Sequence, residues 1–212
     1  MFFCLLKRGI KKRIMRVLIA CEFSGTVRDA FAARGWDAWS CDLLETEKPG
    51  QHIVGDVREV LTQGWDLMIA HPDCTYLCGS GLHWNNRGRG WAETHKAIDF
   101  VRLLLDAPIE RICVENPVGI ISTHIRPASQ YIQPYEFGHD ASKKTGLWLK
   151  NLPLLHSTAH VQPRIVNGKK RWANQTDSGQ NKLCPSIDRW KERARTYTGI
   201  ACAMAEQWSS NW

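Results

Sequence analysis

No window of this sequence approaches the roughly 20 consecutive apolar residues that a membrane helix needs, and its apolar start, MFFCLL, is followed rather than preceded by a basic cluster, the reverse of a secretory signal. A cytoplasmic location is therefore expected, with no membrane partner. The fingerprint G-x-G-x-x-G is missing, which argues against an ordinary dinucleotide site, and so is G-x-x-x-x-G-K-[ST], which argues against a P-loop. Also absent is the H-x-E followed by P-C-x-x-C of zinc deaminases. His71, Cys74, Cys78 and His83 fall close together, but the spacing H-x2-C-x3-C-x4-H is not a common zinc pattern, so no metal site is expected. Internal repeats and low-complexity tracts are lacking too, and at 212 residues one domain with a real core is the default.

What is present is first of all positive charge. The formal charge of +7 suggests an anionic partner, yet Lys7, Arg8, Lys11, Lys12 and Arg13 stand in the first fourteen residues with no acid among them, and without those five cations +7 becomes +2. Residues 1–14 read as a basic extension, either a disordered nucleic-acid-binding arm or sequence upstream of a start at Met15. Eight cysteines are scattered through apolar runs without a signal peptide, which favours buried free thiols over a disulfide framework. Trp36, Trp39, Trp65 and Trp148 fall in or beside strand-like runs, where core packing explains them.

From Met15 the pattern alternates: RVLIAC, then the helical period TVRDAFAARG, then WDAWSCDLL, GDVREVLTQG and WDLMIAHP. That is βαβαβ order, and it predicts an α/β fold with a mostly parallel sheet and helices on both faces. A helix is expected from Trp91 to Leu105, followed by strands in ERICVENP, YIQPYEFG and TGLWLK. Residues 156–186 interrupt the domain of residues 15–212 with a basic loop or hairpin that holds Arg164, Lys169, Lys170, Arg171 and Lys182 against the single acid Asp177. The closing stretch DRWKERARTYTGIACAMAEQW is helical, with a break expected at Gly199.

Open α/β sheets bind ligands at the carboxyl ends of their strands. The first strand ends in CEFSGTVRDAF, where Ser24 and Gly25 allow a tight turn into a helix N-terminus. The second ends at Asp42, placed to accept from ribose hydroxyls, and the third in GDV, where Asp56 either accepts from an adenine amine or caps the helix starting near Arg58. Together the three ends point to an adenosine-containing cofactor. Cys74, in HPDCTYLCGSG, reads alone as a buried strand-end thiol, and beside these positions as a nucleophile.

The order of these motifs resembles the DNA cytosine-5 methyltransferases, in particular their short phage-type members, over roughly residues 15–208. FSGTVRDAF is similar to the family's cofactor loop, HPDCTYLCGSG to its Pro-Cys motif, VENP to its Glu-Asn motif, and GIACAMAEQW to the last motif, which completes the cofactor pocket. The resemblance implies a Rossmann-like S-adenosylmethionine-dependent methyltransferase fold, with S-adenosylmethionine held by Glu22, Phe23, Ser24, Gly25, Asp42, Asp56 and Pro72. It implies Cys74 as the nucleophile and Glu115 as an acid whose pKa is raised by burial. DNA is the implied partner, with RNA or a free nucleotide as alternatives, and the location for a phage-encoded protein is the host cytoplasm.

Two departures from the family pattern matter. Asp73, where the family has Pro, is expected to raise the pKa of the Cys74 thiol. No large target-recognition domain is present, and an arginine pair expected after the Glu motif is missing; Lys143 and Lys144, with Arg164, Lys169, Lys170 and Arg171, are the candidate nucleic-acid contacts. Two rival readings stand beside this one: an amino-directed methyltransferase, for which HPDCTY is a loose match, and a catalytically weak or inactive methyltransferase fold that binds DNA.

Overall fold

Strands buried on both faces read as unbroken apolar runs, and RVLIA and LMIA are such runs. They form β1 (Arg16–Ala20) and, later in the chain, the central strand that pairs with it in parallel, Leu18 beside Met68. In the computed structural model, which describes residues 13–210, the chain leaves β1 through α1 (Thr26–Ala32) to β2 (Asp37–Asp42) and β3 (His52–Val54), then returns to β4 (Leu67–Ala70). The short α2 (Gly79–Leu82) and the long α3 (Ala92–Leu105) lead to β5 (Arg111–Pro117), α4 (Ile121–His124), β6 (Gln130–Ile132) and β7 (Thr145–Lys150). A separate hairpin of β8 (Arg164–Val166) and β9 (Lys169–Arg171) precedes α5 (Arg189–Ala194) and α6 (Thr198–Ser209). Of the expected basic extension, Lys7, Arg8, Lys11 and Lys12 lie outside the described residues, while Arg13 pairs with Asp66 at 2.8 Å.

The seven-stranded sheet has the order β3-β2-β1-β4-β5-β7-β6, with β7 antiparallel to both of its neighbours and all other pairings parallel. This is the Rossmann-like α/β architecture expected from the sequence. Alternate side chains of each strand go to opposite faces. Leu18, Met68 and Val114 pack under Ile98, Val101 and Leu104 of α3, while Val17, Ile19, Leu67 and Ile69 pack under Val27 and Phe31 of α1 and Ile200, Met204 and Trp208 of α6. Each large apolar side chain sealed in this way is worth about 1.5–3 kcal/mol relative to exposure.

Local chemistry alters two expected elements and fixes the form of a third. GDVREVLTQG forms only a 3-10 turn over Val57–Glu59. The Trp65 indole and the Gln63 N–H both use the Val60 carbonyl, at 2.7 and 3.1 Å, and so take the acceptor that a continuing helix would need. The C-terminal break falls at Arg195, whose extended backbone ends α5, and not at Gly199. Gly199 lies within the first turn of α6 because a Cβ there would collide with the Phe137 carbonyl oxygen. The basic segment folds as a hairpin about Asn167 and Gly168, both at positive φ (49° and 72°), the conformation of a two-residue type I′ turn. Among the described residues no helix is long and apolar enough to cross a membrane.

Candidate active site

The carboxyl ends of β1, β2, β4 and β5 open into one cavity of about 990 Å³, at the upper end of the range for ligand sites. Its walls hold Glu22, Phe23 and Ser24 after β1, Asp42 at the end of β2, Asp56 after β3, His71 to Cys74 after β4, and Glu115 with Asn116 on β5. Six of the seven expected cofactor residues therefore share the cavity; Gly25 does not line it. Gly25 instead takes φ 68° as the residue before α1, where a side chain would strike the Arg28 guanidinium.

Two of the acids are partly committed to the protein itself. The Glu22 carboxylate accepts from the N–H groups of Val27 (2.7 Å) and Arg28 (3.3 Å) and from the Ser24 hydroxyl (3.1 Å), so it caps α1. Asp56 accepts from the Arg58 N–H at 3.0 Å and from its guanidinium at 2.9 Å, which is the capping role. Asp42 is less committed: the Leu44 N–H meets Oδ1 at 3.0 Å. Burial raises its carboxyl, and this outweighs the lowering by the Leu44 N–H and by His52. A half-buried strand-end carboxylate with an oxygen to spare is the acceptor a ribose diol requires, so the residues present fit an adenosine cofactor.

The ends of β4 and β5 are cross-linked twice by side chains. His71 Nδ1 meets Glu115 Oε2 at 2.7 Å, and Asn116 Nδ2 donates to the Pro72 carbonyl at 2.7 Å. Burial alone would raise the Glu115 carboxyl, but the His71 hydrogen bond and the charges on Lys143 and His71 outweigh it and hold the group below its ordinary value. The neutral, proton-donating Glu115 expected from the sequence is therefore replaced by an ionised one. His71 Nε2 and Asn116 Oδ1 are both buried and have no hydrogen-bond partner among the described residues.

Cys74 begins a turn in which the Cys78 N–H returns to its carbonyl at 2.9 Å, and both residues line the cavity. The two thiols compete for one proton. Cys78, then burial, then Asp73 raise Cys74 well above the ordinary thiol value, against a smaller lowering by Lys143. Cys78 is pulled down to about 5 by the hydrogen bond from Cys74, helped by the Ser80 hydroxyl, the Gly81 N–H and Arg193, although burial opposes the shift. In this arrangement the thiolate belongs to Cys78. Asp73 has a structural duty that the sequence hid: its Oδ1 accepts from the Thr75 N–H (3.0 Å) and hydroxyl (2.8 Å) and so holds the turn.

The expected nucleic-acid contacts separate. Lys143 lines the cavity, with Nζ 2.9 Å from the Arg193 carbonyl, while Lys144 sits over the Tyr131 ring at 4.7 Å. Arg164 is bound to Asp177 and the Gln175 carbonyl, and Arg171 to the carbonyls of Asp177, Ser178 and Lys170, so both guanidiniums hold the neighbouring loop to the hairpin. Lys169 and Lys170 are exposed on β9, and no residue of the hairpin lines the cavity. Among the described residues no three His, Cys, Asp or Glu side chains gather as a metal cluster.

Sequence reasoning missed one whole wall. Trp190, Arg193, Ala194 and Thr196 line the cavity, with Trp190 packed on Phe23 at 5.9 Å between ring centres. The expected closing motif GIACAMAEQW is instead α6, packed against α1 on the other face of the sheet. Arg28 was missed as well. It is almost fully buried and reaches Asp29, Ser40, Thr46 and the carbonyls of Lys48 and Pro49, pinning residues 46–49 beside the cavity.

No protein-family model matches the chain, and no curated protein matches it. Among solved structures it is similar to one described as a candidate DNA modification methyltransferase encoded within an E. coli prophage, at 12% identity and TM-score 0.41. The alignment covers 64% of this chain and 46% of that one, so the chain spans less than half of that neighbour. At this level the likeness carries no argument about substrate or chemistry.

Proposed function

We propose that the protein is an S-adenosylmethionine-dependent methyltransferase that modifies carbon 5 of cytosine in DNA through a covalent cysteine adduct. The observation that carries this reading is the meeting of Cys74 and Glu115, from two different strand ends, on the wall of the cavity that also holds Asp42. Phe23, Asp42 and the backbone after β1 would hold the cofactor, with Trp190 covering it. When bound, S-adenosylmethionine supplies an electrophilic methyl group on a sulfonium.

Carbon 5 of cytosine is a poor nucleophile until a sulfur adds to carbon 6. Cys74 is the thiol assigned to that addition, and its proton must leave before the sulfur adds. After the methyl group is on carbon 5, loss of the carbon-5 proton and departure of the Cys74 sulfur restore the ring. Lys143 and the exposed Lys169 and Lys170 are assigned to phosphate contacts. A base in a duplex must first be flipped out of the stack.

The test is labelled S-adenosylmethionine with DNA and purified protein, alongside nucleoside mass spectrometry of DNA from cells expressing the wild type or Cys74→Ser. Modified cytosine that disappears in the variant supports the thiol mechanism. Product that survives Cys74→Ser would transfer the reading to amino-directed chemistry, and cofactor binding without product to a DNA-binding protein.

A further inference from the structure

Residues 83–91 bring His83, Trp84, Arg87, Arg89 and Trp91 together, and no acid stands anywhere between Cys74 and Ala92. Rings interleaved with cations in this way are the composition of a single-strand binding surface. Trp84 is 53% exposed and Trp91 40% exposed, so neither ring is spent on the core. Trp84 also lines the cavity, which places it at the rim of the space shared by Cys74 and Glu115.

The backbone under that exposed ring is held firmly. Gly81 lies against the turn begun by Cys74, and a Cβ there would collide with the Thr75 carbonyl oxygen. Arg89 donates through Nη2 to the Gly81 carbonyl at 2.7 Å and grips Asn85 Oδ1 from Nε (3.0 Å) and Nη2 (2.7 Å). Its guanidinium also lies over the Tyr76 ring, 4.6 Å from the centre. The buried Asn85 in turn donates to the Thr94 hydroxyl on α3 at 2.8 Å. Trp84, the residue before Asn85, is therefore positioned relative to Cys74 by contacts that leave its indole unused. Such preorganisation lowers the cost of ordering the site when a ligand arrives.

Charge separates the two parts of a nucleotide. The cavity wall holds more carboxylates than cations, which suits an uncharged base and opposes a phosphate. The acid-free segment outside it has the opposite sign, and its Arg87 is exposed. We infer that residues 83–91 bind single-stranded DNA, with Trp84 the platform on which an unpaired base stacks at the cavity rim and Arg87 a contact to an adjoining phosphate. This names the substrate class of the site described above and rests on that reading, from which the choice of DNA is taken. An unpaired strand is the form that fits, because its bases are free to stack on a fixed ring, whereas duplex bases must first be flipped out. Trp91, outside the cavity wall and held by its N–H to Asn86 Oδ1 at 3.1 Å, offers a second ring along the strand.

The test is fluorescence anisotropy with the full chain, added S-adenosylhomocysteine and labelled oligonucleotides of about 12 nucleotides, within the span of known single-strand sites. The same mixed sequence is offered as single-stranded DNA, as duplex and as single-stranded RNA. The wild type, which no substitution can unfold, is expected to bind the single strand about tenfold or more tighter than the duplex. Trp84→Ala should weaken single-strand binding about tenfold, while Trp84→Phe, which keeps a ring, retains most of it. Arg87→Gln should flatten the slope of log affinity against log salt by about 0.7, the loss of one single-strand phosphate contact. Duplex bound as tightly as single strand overturns the inference, as does RNA bound tighter than DNA or an unchanged affinity in Trp84→Ala. If cytosine is methylated while Trp84→Ala binds as the wild type does, the platform falls and the methyltransferase reading stands. If single strands bind through Trp84 but S-adenosylmethionine gives no product, the platform stands and the methyltransferase reading falls.

Discussion

His71 Nδ1 lies 2.7 Å from Glu115 Oε2, in a buried contact between residues 44 positions apart in the sequence. The contact decides the charge state of the site, because it holds Glu115 ionised where burial alone would neutralise it. A carboxyl whose folded-state affinity for protons is depressed stabilises the fold above its unfolded pKa of about 4.3, and loses that contribution as pH falls through the folded value. Glu115→Gln should therefore lower stability by about 1–3 kcal/mol at pH 7, with a gap to wild type that narrows below about pH 4. Thermal unfolding of the two proteins at pH 7 and pH 3 checks this; a gap that widens in acid contradicts the ion pair.

The two thiols should separate by reactivity before any turnover is measured. With Cys78 pulled down to about 5 and Cys74 raised, iodoacetamide at pH 6 should label Cys78 first, as read by peptide mass spectrometry. Because Cys78 is the largest cause of the Cys74 shift, Cys78→Ala should make Cys74 reactive at lower pH. Initial labelling of Cys74 in the wild type would reverse the assignment of the proton within the pair.

Asp73 combines two effects that substitution can divide. Its carboxylate holds the Thr75 turn and raises the neighbouring Cys74 thiol. Asp73→Asn keeps an acceptor for the turn and removes the charge, so cytosine methylation should rise several-fold. Asp73→Pro removes both and should gain less or lose activity. Steady-state rates of the two variants against wild type decide between charge and turn.

The sheet was legible because each parallel strand is an apolar run ending in polar residues, and period and order alone place Asp42, Cys74 and Glu115 at one edge. The His71–Glu115 contact was also within reach. IAHP and VENP each put a titratable residue directly after an apolar run, and the observed register sets Ala70 beside Val114. One further step sets His71 beside Glu115, and the next Pro72 beside Asn116, the two pairs that are bonded. What the strand pattern could not supply was the sign of the Glu115 shift, in which the His71 hydrogen bond, and after it the charges on Lys143 and His71, outweigh burial. The Trp190 wall was hidden for a related reason: its neighbour Phe23 lies at the far end of the sequence, and α5 has no motif of its own.

That wall is tied down by one ion pair, which makes it open to test. Arg195, just after α5, donates from Nε and Nη2 to the two oxygens of Glu47 at 2.9 and 2.7 Å. The bidentate geometry lowers the Glu47 carboxyl, chiefly through the Arg195 hydrogen bond. Both side chains are about one-third exposed, so salt screens the pair and its worth to global stability is under about 1 kcal/mol. Its effect should appear instead in ligand retention. Residues 46–49 are held from within by Arg28, and α5 presses Trp190 onto Phe23, so breaking the tie frees one side of the cavity while leaving the core packed. Glu47→Gln should speed S-adenosylhomocysteine release several-fold with a nearly unchanged unfolding temperature, whereas Arg28→Met, which strips a buried guanidinium from five partners, should lower both stability and affinity. Stopped-flow dissociation and thermal melts on the two variants check the contrast, and an equal loss of stability in both would place the tie within the core of the fold.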